Sequence, residues 1–147
     1  MTPAAIYALD IYTPRHHVQA KALEMQEAMP GVLSCAKGVS RIPFSSLDED
    51  VMSMALTTMR RLCNQHQVSK ASVGWLRFGS QSFLDRSKSA KTELMAAAEI
   101  DIVSDIEGLD GYEDKFDCAV TLASCQAWVQ RASWDGRYAL AVCSDEC

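Results

Sequence analysis

At 147 residues, 48% hydrophobic and 22% charged, the chain has the size and composition of one globular domain with a real core. A formal net charge of −5 argues against nucleic acid as the main partner, because phosphate binding needs a basic face. No apolar run approaches the length of a membrane span, and no basic region followed by an apolar one marks a secretory signal. The numbering leaves room for a transit peptide removed ahead of Met1.

In chain order, Ile6 to Tyr12 is rich in strand formers and stops at Pro14, which predicts a first strand. Val18 to Ala28 has helical composition and ends at Pro30-Gly31. Leu33 to Leu47, interrupted by Gly38 and Pro43, reads as loop. Ser46-Leu47-Asp48-Glu49 offers an N-cap and an acidic first turn. Val51, Met54, Ala55, Thr58, Met59 and Leu62 then recur at helical spacing toward Gln67.

Val73 to Gly79 predicts a second strand and Ser89 to Ile100 an Ala-rich helix. Ile102-Val103 leads into an acidic loop from Ser104 to Asp114. Cys118 to Arg131 predicts a nearly uncharged helix, apolar or small around much of its girth, a pattern expected of a helix buried on all sides. Asp135-Gly136 turns the chain into the strand Tyr138 to Cys143. The order β-α-α-β-α-α-β, without repeat or linker, predicts a single α/β domain over residues 1–147, with a mostly parallel sheet and covering helices.

Single residues with chemical potential have plain structural readings. Cys35, Cys63, Cys118, Cys125, Cys143 and Cys147 lack CxxC or finger spacing and read as reduced, mostly buried thiols of an intracellular protein. His16, His17 and His66 read as surface histidines. Asp48-Glu49-Asp50 reads as a helix N-terminal acidic cluster, not a metal site. Met25, Met29, Met52, Met54, Met59 and Met95 read as core and interface filler. No phosphate-cradling Gly-rich loop is visible.

Three blocks carry more than composition: Asp85 to Met95, Asp105 to Asp110, and Ser133 to Val142. Together they resemble hydroxymethylglutaryl-CoA synthases of the eukaryotic type, with weaker echoes at Ala36-Lys37 and Ser46 to Asp50. The resemblance runs over essentially the whole chain but only the first third or so of a full-length synthase. It implies one half of a thiolase-like fold, whose two similar halves stack in layers around buried central helices.

Family chemistry needs a cysteine nucleophile at the N-terminus of a buried helix, a glutamate as general acid/base and a polarising histidine. The glutamate lies in a Gly-Thr-Glu-Thr motif after the second strand; here that motif reads Gly79-Ser80-Gln81-Ser82. Gln81 matches glutamate in shape but cannot titrate. Aligned without gaps between Asp110 and Trp128, the nucleophile position falls on Lys115, and the motif's paired glycines fall on Asp117 and Cys118. Cys118, about one turn along, is the fallback nucleophile; its plain reading is a buried structural thiol. Lys88 and Lys91 could contact CoA phosphates, although a solvated helix face explains them as well. The histidine belongs to the part of the family this chain does not match.

The resemblance therefore implies a non-catalytic relative of the synthase, a structural or accessory subunit that uses no cofactor. The alternative is a fragment or subunit of a working synthase that condenses acetyl-CoA with acetoacetyl-CoA through Cys118 or a companion's residues. A third is a CoA- or acyl-binding module without turnover. If nothing follows Cys147, the Cys118–Arg131 helix keeps a bare apolar face, and a protein partner or second copy is expected to cover it. The expected compartment is intracellular and reducing: cytoplasm, mitochondrion or plastid.

Overall fold

Among the residues that the computed structural model describes, 3–83, 85–100, 105–112 and 117–146, nine α-helices and β-strands follow one another, with a short 3-10 turn at Lys70–Ser72. They are β1 (His16–Gln19), α1 (Ala20–Gln26), β2 (Arg41–Phe44), α2 (Val51–Gln65), β3 (Val73–Gly79), α3 (Ala90–Ala97), β4 (Glu107–Gly111), α4 (Asp117–Val129) and β5 (Tyr138–Cys143). By contact density the chain divides into two units: Met1–Tyr12 with Val51–Asp145, and Thr13–Asp50 with Glu146–Cys147.

The larger unit is built on a three-stranded parallel sheet of order β4-β3-β5. Central strand β3 alternates its faces, as a strand must. Leu76 and Phe78, both 0% exposed, join a cluster with Val51, Ala55 and Met59 of α2 and Ala90, Leu94 and Met95 of α3. On the opposite face Trp75 stacks against Trp128 of α4, centroids 6.1 Å apart, and Arg77 Nη1 donates to Ser124 Oγ at 2.8 Å. The result is three layers: α2 and α3, the sheet, and α4. The expected α/β architecture with a parallel sheet is present.

Helix α4 departs from expectation on one point. It buries a single stripe, Thr121, Cys125 and Trp128, at the i, i+4, i+7 spacing of one helical face. Val120 and Leu122 are 43% and 47% exposed. Its apolar girth suits cover on all sides, but among the described residues a sheet stands on one side only.

The acidic loop expected over 104–114 contains a strand, β4. Its residues Glu107, Gly108 and Asp110 are poor strand formers, and tertiary partners override that preference. Glu107 accepts from Arg131 at 2.6 and 2.8 Å and from Trp128 Nε1 at 3.3 Å, and Arg131 holds its carboxyl below the usual range. The first strand expected over Ile6 to Tyr12 is absent as such. That stretch carries no regular element and pairs with no strand among the described residues. Arg61 anchors it by donating to Asp10 Oδ1 at 2.8 Å and to the Ile11 carbonyl at 2.6 Å. The Asp135-Gly136 turn forms as expected, with Gly136 at φ +87°, a conformation glycine adopts without a Cβ penalty.

In the smaller unit β1 and β2 pair antiparallel, with His16 opposite Phe44 and Gln19 opposite Arg41. Residues 41–44 therefore belong to a strand, not a loop, and Pro43 is tolerated because a two-stranded pair has only edges. Ser46 does not cap α2, which begins at Val51. Instead Ser46 Oγ donates to Asp48 and Glu49, and Arg15 pairs with both carboxylates. Glu24, 4% exposed, accepts from the Leu33 and Ser34 amides, each at 2.6 Å. The Ser34 backbone bond leads in drawing its carboxyl down to about 2.

The thiols are less buried than expected. Cys35, Cys118 and Cys143 are exposed, Cys63 is half-buried and Cys125 is buried; none of the five is in a disulfide. Cys118 lies on the outward side of α4 and Cys143 ends an edge strand, which explains their exposure. Met54, Met59 and Met95 are core residues, whereas Met25 and Met29 are exposed.

Candidate functional site

Parallel strands bring their carboxyl ends to one edge of a sheet, and open α/β sheets characteristically bind ligands there. At that edge the chain leaving β3 passes through Ser80, Gln81 and Ser82. The chain leaving β4 passes Tyr112, and the chain leaving β5 reaches Ser144 and Asp145. Two backbone bonds extend the ladder past the strand ends: Ser80 N to the Gly111 carbonyl at 2.9 Å, and Ser144 N to the Gly79 carbonyl at 3.1 Å.

Asp145 organises this edge. Its Oδ1 accepts from Gln81 N at 2.6 Å, Ser82 N and Ser82 Oγ at 3.1 Å each, and Ser80 Oγ at 3.2 Å. A carboxylate receiving several donors is a strong backbone clamp. Gln81 is thus held through its main chain, while Arg86 Nη2 donates to its carbonyl at 3.3 Å. Replacing Asp145 with Ala removes the shared acceptor. The Gln81 and Ser82 amides should then exchange with solvent about tenfold faster or more, read by hydrogen exchange. Unchanged rates there would show that another contact holds the loop.

Beside the loop, Phe83 meets Phe78 edge-on at 5.9 Å and stacks on Tyr112 at 5.9 Å, with Arg86 over the Tyr112 ring at 5.6 Å. Tyr112 Oη accepts from Ala90 N at 3.2 Å, and burial pushes its phenol up. Asp110 accepts from Ser89 Oγ at 2.6 Å and from Lys91 N at 2.7 Å. Ser89 Oγ in turn accepts from Thr92 N at 3.2 Å. The unpaired amides opening α3 are met by these groups.

The residues singled out from sequence fare differently. Gln81 stands at this edge. Cys118 is exposed in the first turn of α4. That overturns its reading as a buried thiol; buried Cys125 is the inert one, its thiol pushed up to about 11 by burial. Lys115 lies outside the described residues. Lys88 Nζ faces Glu93 at 3.4 Å and Asp85 at 4.0 Å, so two carboxylates already engage it. Among those residues no cluster of three or more metal-ligating side chains occurs, and no helix is long and apolar enough to cross a membrane. Sequence reasoning missed Asp145 and Tyr112, which lie 64 and 31 positions from Gln81 with no motif linking them.

Comparison with known proteins fits this geometry. Residues 2–147 match the family model described as hydroxymethylglutaryl-coenzyme A synthase N terminal. The mitochondrial hydroxymethylglutaryl-CoA synthase of Sus scrofa is 36% identical over 141 residues, covering 95% of this chain and 28% of that protein. The cytoplasmic synthase of Mus musculus is 35% identical over 141 residues, covering 95% of this chain and 27% of that protein. A structure of MvaS in complex with 3-hydroxy-3-methylglutaryl coenzyme A superposes with a TM-score of 0.85 at 22% identity, covering 94% of this chain and 33% of that one. The HMG synthase of the curacin pathway, solved with holo donor-ACP, gives 0.83 at 16% identity over 97% and 34%. The chain therefore spans little more than a quarter of the length of these curated relatives, and its architecture is about half of a thiolase-like fold. By both measures the chain belongs to the hydroxymethylglutaryl-CoA synthase family, whose N-terminal region it matches from end to end.

Proposed function

We propose that this chain is a non-catalytic member of its family, working inside the cell as a structural or accessory subunit of a larger protein assembly. The observation that carries the reading is Gln81. It occupies the loop after β3 where family resemblance expects the general acid/base, and its main chain is clamped by Asp145. A carboxamide does not titrate near neutral pH, so it cannot take up or give the proton that the chemistry needs at that point. The gap-free alignment adds Lys115 at the nucleophile position. Val120 and Leu122 of α4, about half exposed among the described residues on either flank of its buried stripe, support the assembly role, because large apolar side chains favour burial against a partner.

A second reading keeps the chemistry. Relatives at 36% identity are named as synthases, and Cys118 is accessible in the first turn of α4. Here the chain is a fragment or subunit of an active acyltransferase that condenses acetyl-CoA with acetoacetyl-CoA.

Incubation with labelled acetyl-CoA separates the two. The first reading expects no acyl label on Cys118 by mass spectrometry. Stoichiometric label on that thiol sinks it and establishes the second. Saturable CoA binding without acylation would replace both with a binding module, and Lys88→Ala or Lys91→Ala should then weaken it.

A further inference from the structure

At the amino end of β3, away from the edge that carries Gln81, the larger unit holds a recess of about 300 Å³. Its origin lies in how two helices stop. Helix α2 closes with Gln67 at φ +54° and a bond from Val68 N to the Cys63 carbonyl at 2.9 Å. Helix α3 closes the same way, with Glu99 at φ +57° and Ile100 N bonded to the Met95 carbonyl at 3.0 Å. In such a termination the residue after the left-handed one is turned back toward its own helix. Val68 and Ile100 are those residues, and both line the recess. Buried Met59, Val73 and Ala98, with half-buried Leu140, complete its apolar interior. Cys63 stands in the wall as a neutral thiol, because burial pushes its pKa up.

The mouth is polar. Arg60, Lys70 and Glu99, all exposed, border it. Lys70 Nζ meets the Glu99 carboxylate at 3.1 Å, so those two charges offset each other. Arg60 Nη2 donates to the Ala97 carbonyl at 2.5 Å, and its guanidinium has no carboxylate partner among the described residues. One uncompensated positive charge therefore stands beside an apolar space. The planar donor fork of arginine matches a carboxylate better than any other small group except phosphate.

From this we infer that the recess is a binding site for a small amphipathic monocarboxylate, its apolar body inside and its head on Arg60. Cavities that take small ligands begin at about this volume and are mostly apolar with a few placed polar groups. At about 30 Å³ per water molecule the space equals roughly ten waters, so a ligand of roughly ten non-hydrogen atoms fills it. A bare inorganic anion would leave the interior unfilled, and a neutral ligand would leave Arg60 unmatched. The inference goes beyond the non-catalytic reading and does not depend on it, since the recess shares no residue with the Gln81 edge.

The test titrates the 147-residue chain with octanoate, and with 1-octanol as its uncharged counterpart, while amide shifts are followed by NMR. Octanoate should bind saturably at about millimolar concentration or below, moving amides of residues 63–70 and 98–100. At saturation it should slow iodoacetamide alkylation of Cys63 about tenfold, while exposed Cys35 in the smaller unit reacts as before. Arg60→Gln should weaken octanoate about tenfold and leave octanol unchanged, which also shows the recess to be intact. Ala98→Leu fills the recess from α3 and should abolish octanoate binding. Val68→Phe, at a half-buried position in the turn after α2, should do the same and serves if Ala98→Leu does not fold.

No saturable binding up to about 10 mM octanoate overturns the inference. So does binding that survives the filling variants, or shifts centred outside the recess. Equal weakening of octanoate and octanol by Arg60→Gln overturns the assignment of a carboxylate ligand.

Discussion

Gly108→Ala should strip β4 from the sheet and cost the larger unit about 3 kcal/mol or more. A Cβ built at Gly108 falls 1.9 Å from the Leu76 carbonyl oxygen and 2.7 Å from Lys91 Cδ. The lysine stem can swing aside. The carbonyl cannot, because Leu76 lies in the central strand, with Gly108 on one side and Leu140 on the other. Relief must come from β4 moving outward along its whole five-residue register. That movement also withdraws Asp110 and Tyr112 from the start of α3 and Glu107 from Arg131. Denaturant titration should show a lower midpoint, and hydrogen exchange should show β4 and the first turn of α3 losing protection together. A loss below about 0.5 kcal/mol would mean that β4 does not lie where its register puts it.

The same residues explain what the sequence made legible. Helix α2 and strands β3 and β5 were readable because each carries its own apolar periodicity, and local pattern and tertiary role agree. Strand β4 was not, because Glu107, Gly108 and Asp110 hide a strand whose reasons lie elsewhere in the chain: Arg131, the Leu76 carbonyl and the α3 amides. Strands β1 and β2, four residues each with Pro43 in one, carry too little pattern to register. Ile6 to Tyr12 shows the converse, a strand pattern whose pairing partner is absent among the described residues.

At the candidate site, Gln81 was visible because a four-residue family motif frames it. Asp145, which holds that motif through four hydrogen bonds, belongs to no motif and becomes evident only when the ends of β3 and β5 meet. Sequence does not reveal that Glu93 and Asp85 converge on Lys88. The sequence of α4 specifies a helix but not which of its faces is covered. Composition records what a helix can bury against, while structure records what is there to cover it.

Phe78→Ala should cost about 3–5 kcal/mol, a large share of the roughly 5–15 kcal/mol that holds a typical domain together. Phe78 is 0% exposed near the carboxyl end of β3 and, with Leu76 and Leu94, is among the largest fully buried side chains of the core. The cavity should not remain local. Phe78 meets Phe83, two residues past Gln81, so the core reaches the loop that presents Gln81 by one contact; Phe83 stacks on Tyr112, whose hydroxyl accepts from Ala90 N, which carries the path on to the start of α3. Loss of the ring should therefore lower the thermal midpoint and speed exchange at Gln81 and Ser82, even in the fraction that stays folded. Phe78→Leu keeps most of the apolar volume and should cost about 1.5 kcal/mol or less, with little effect on the loop. If Phe78→Ala lowered stability as expected but left the loop amides untouched, the Asp145 clamp alone would hold Gln81 in place, and the aromatic stack would be packing without influence on the site.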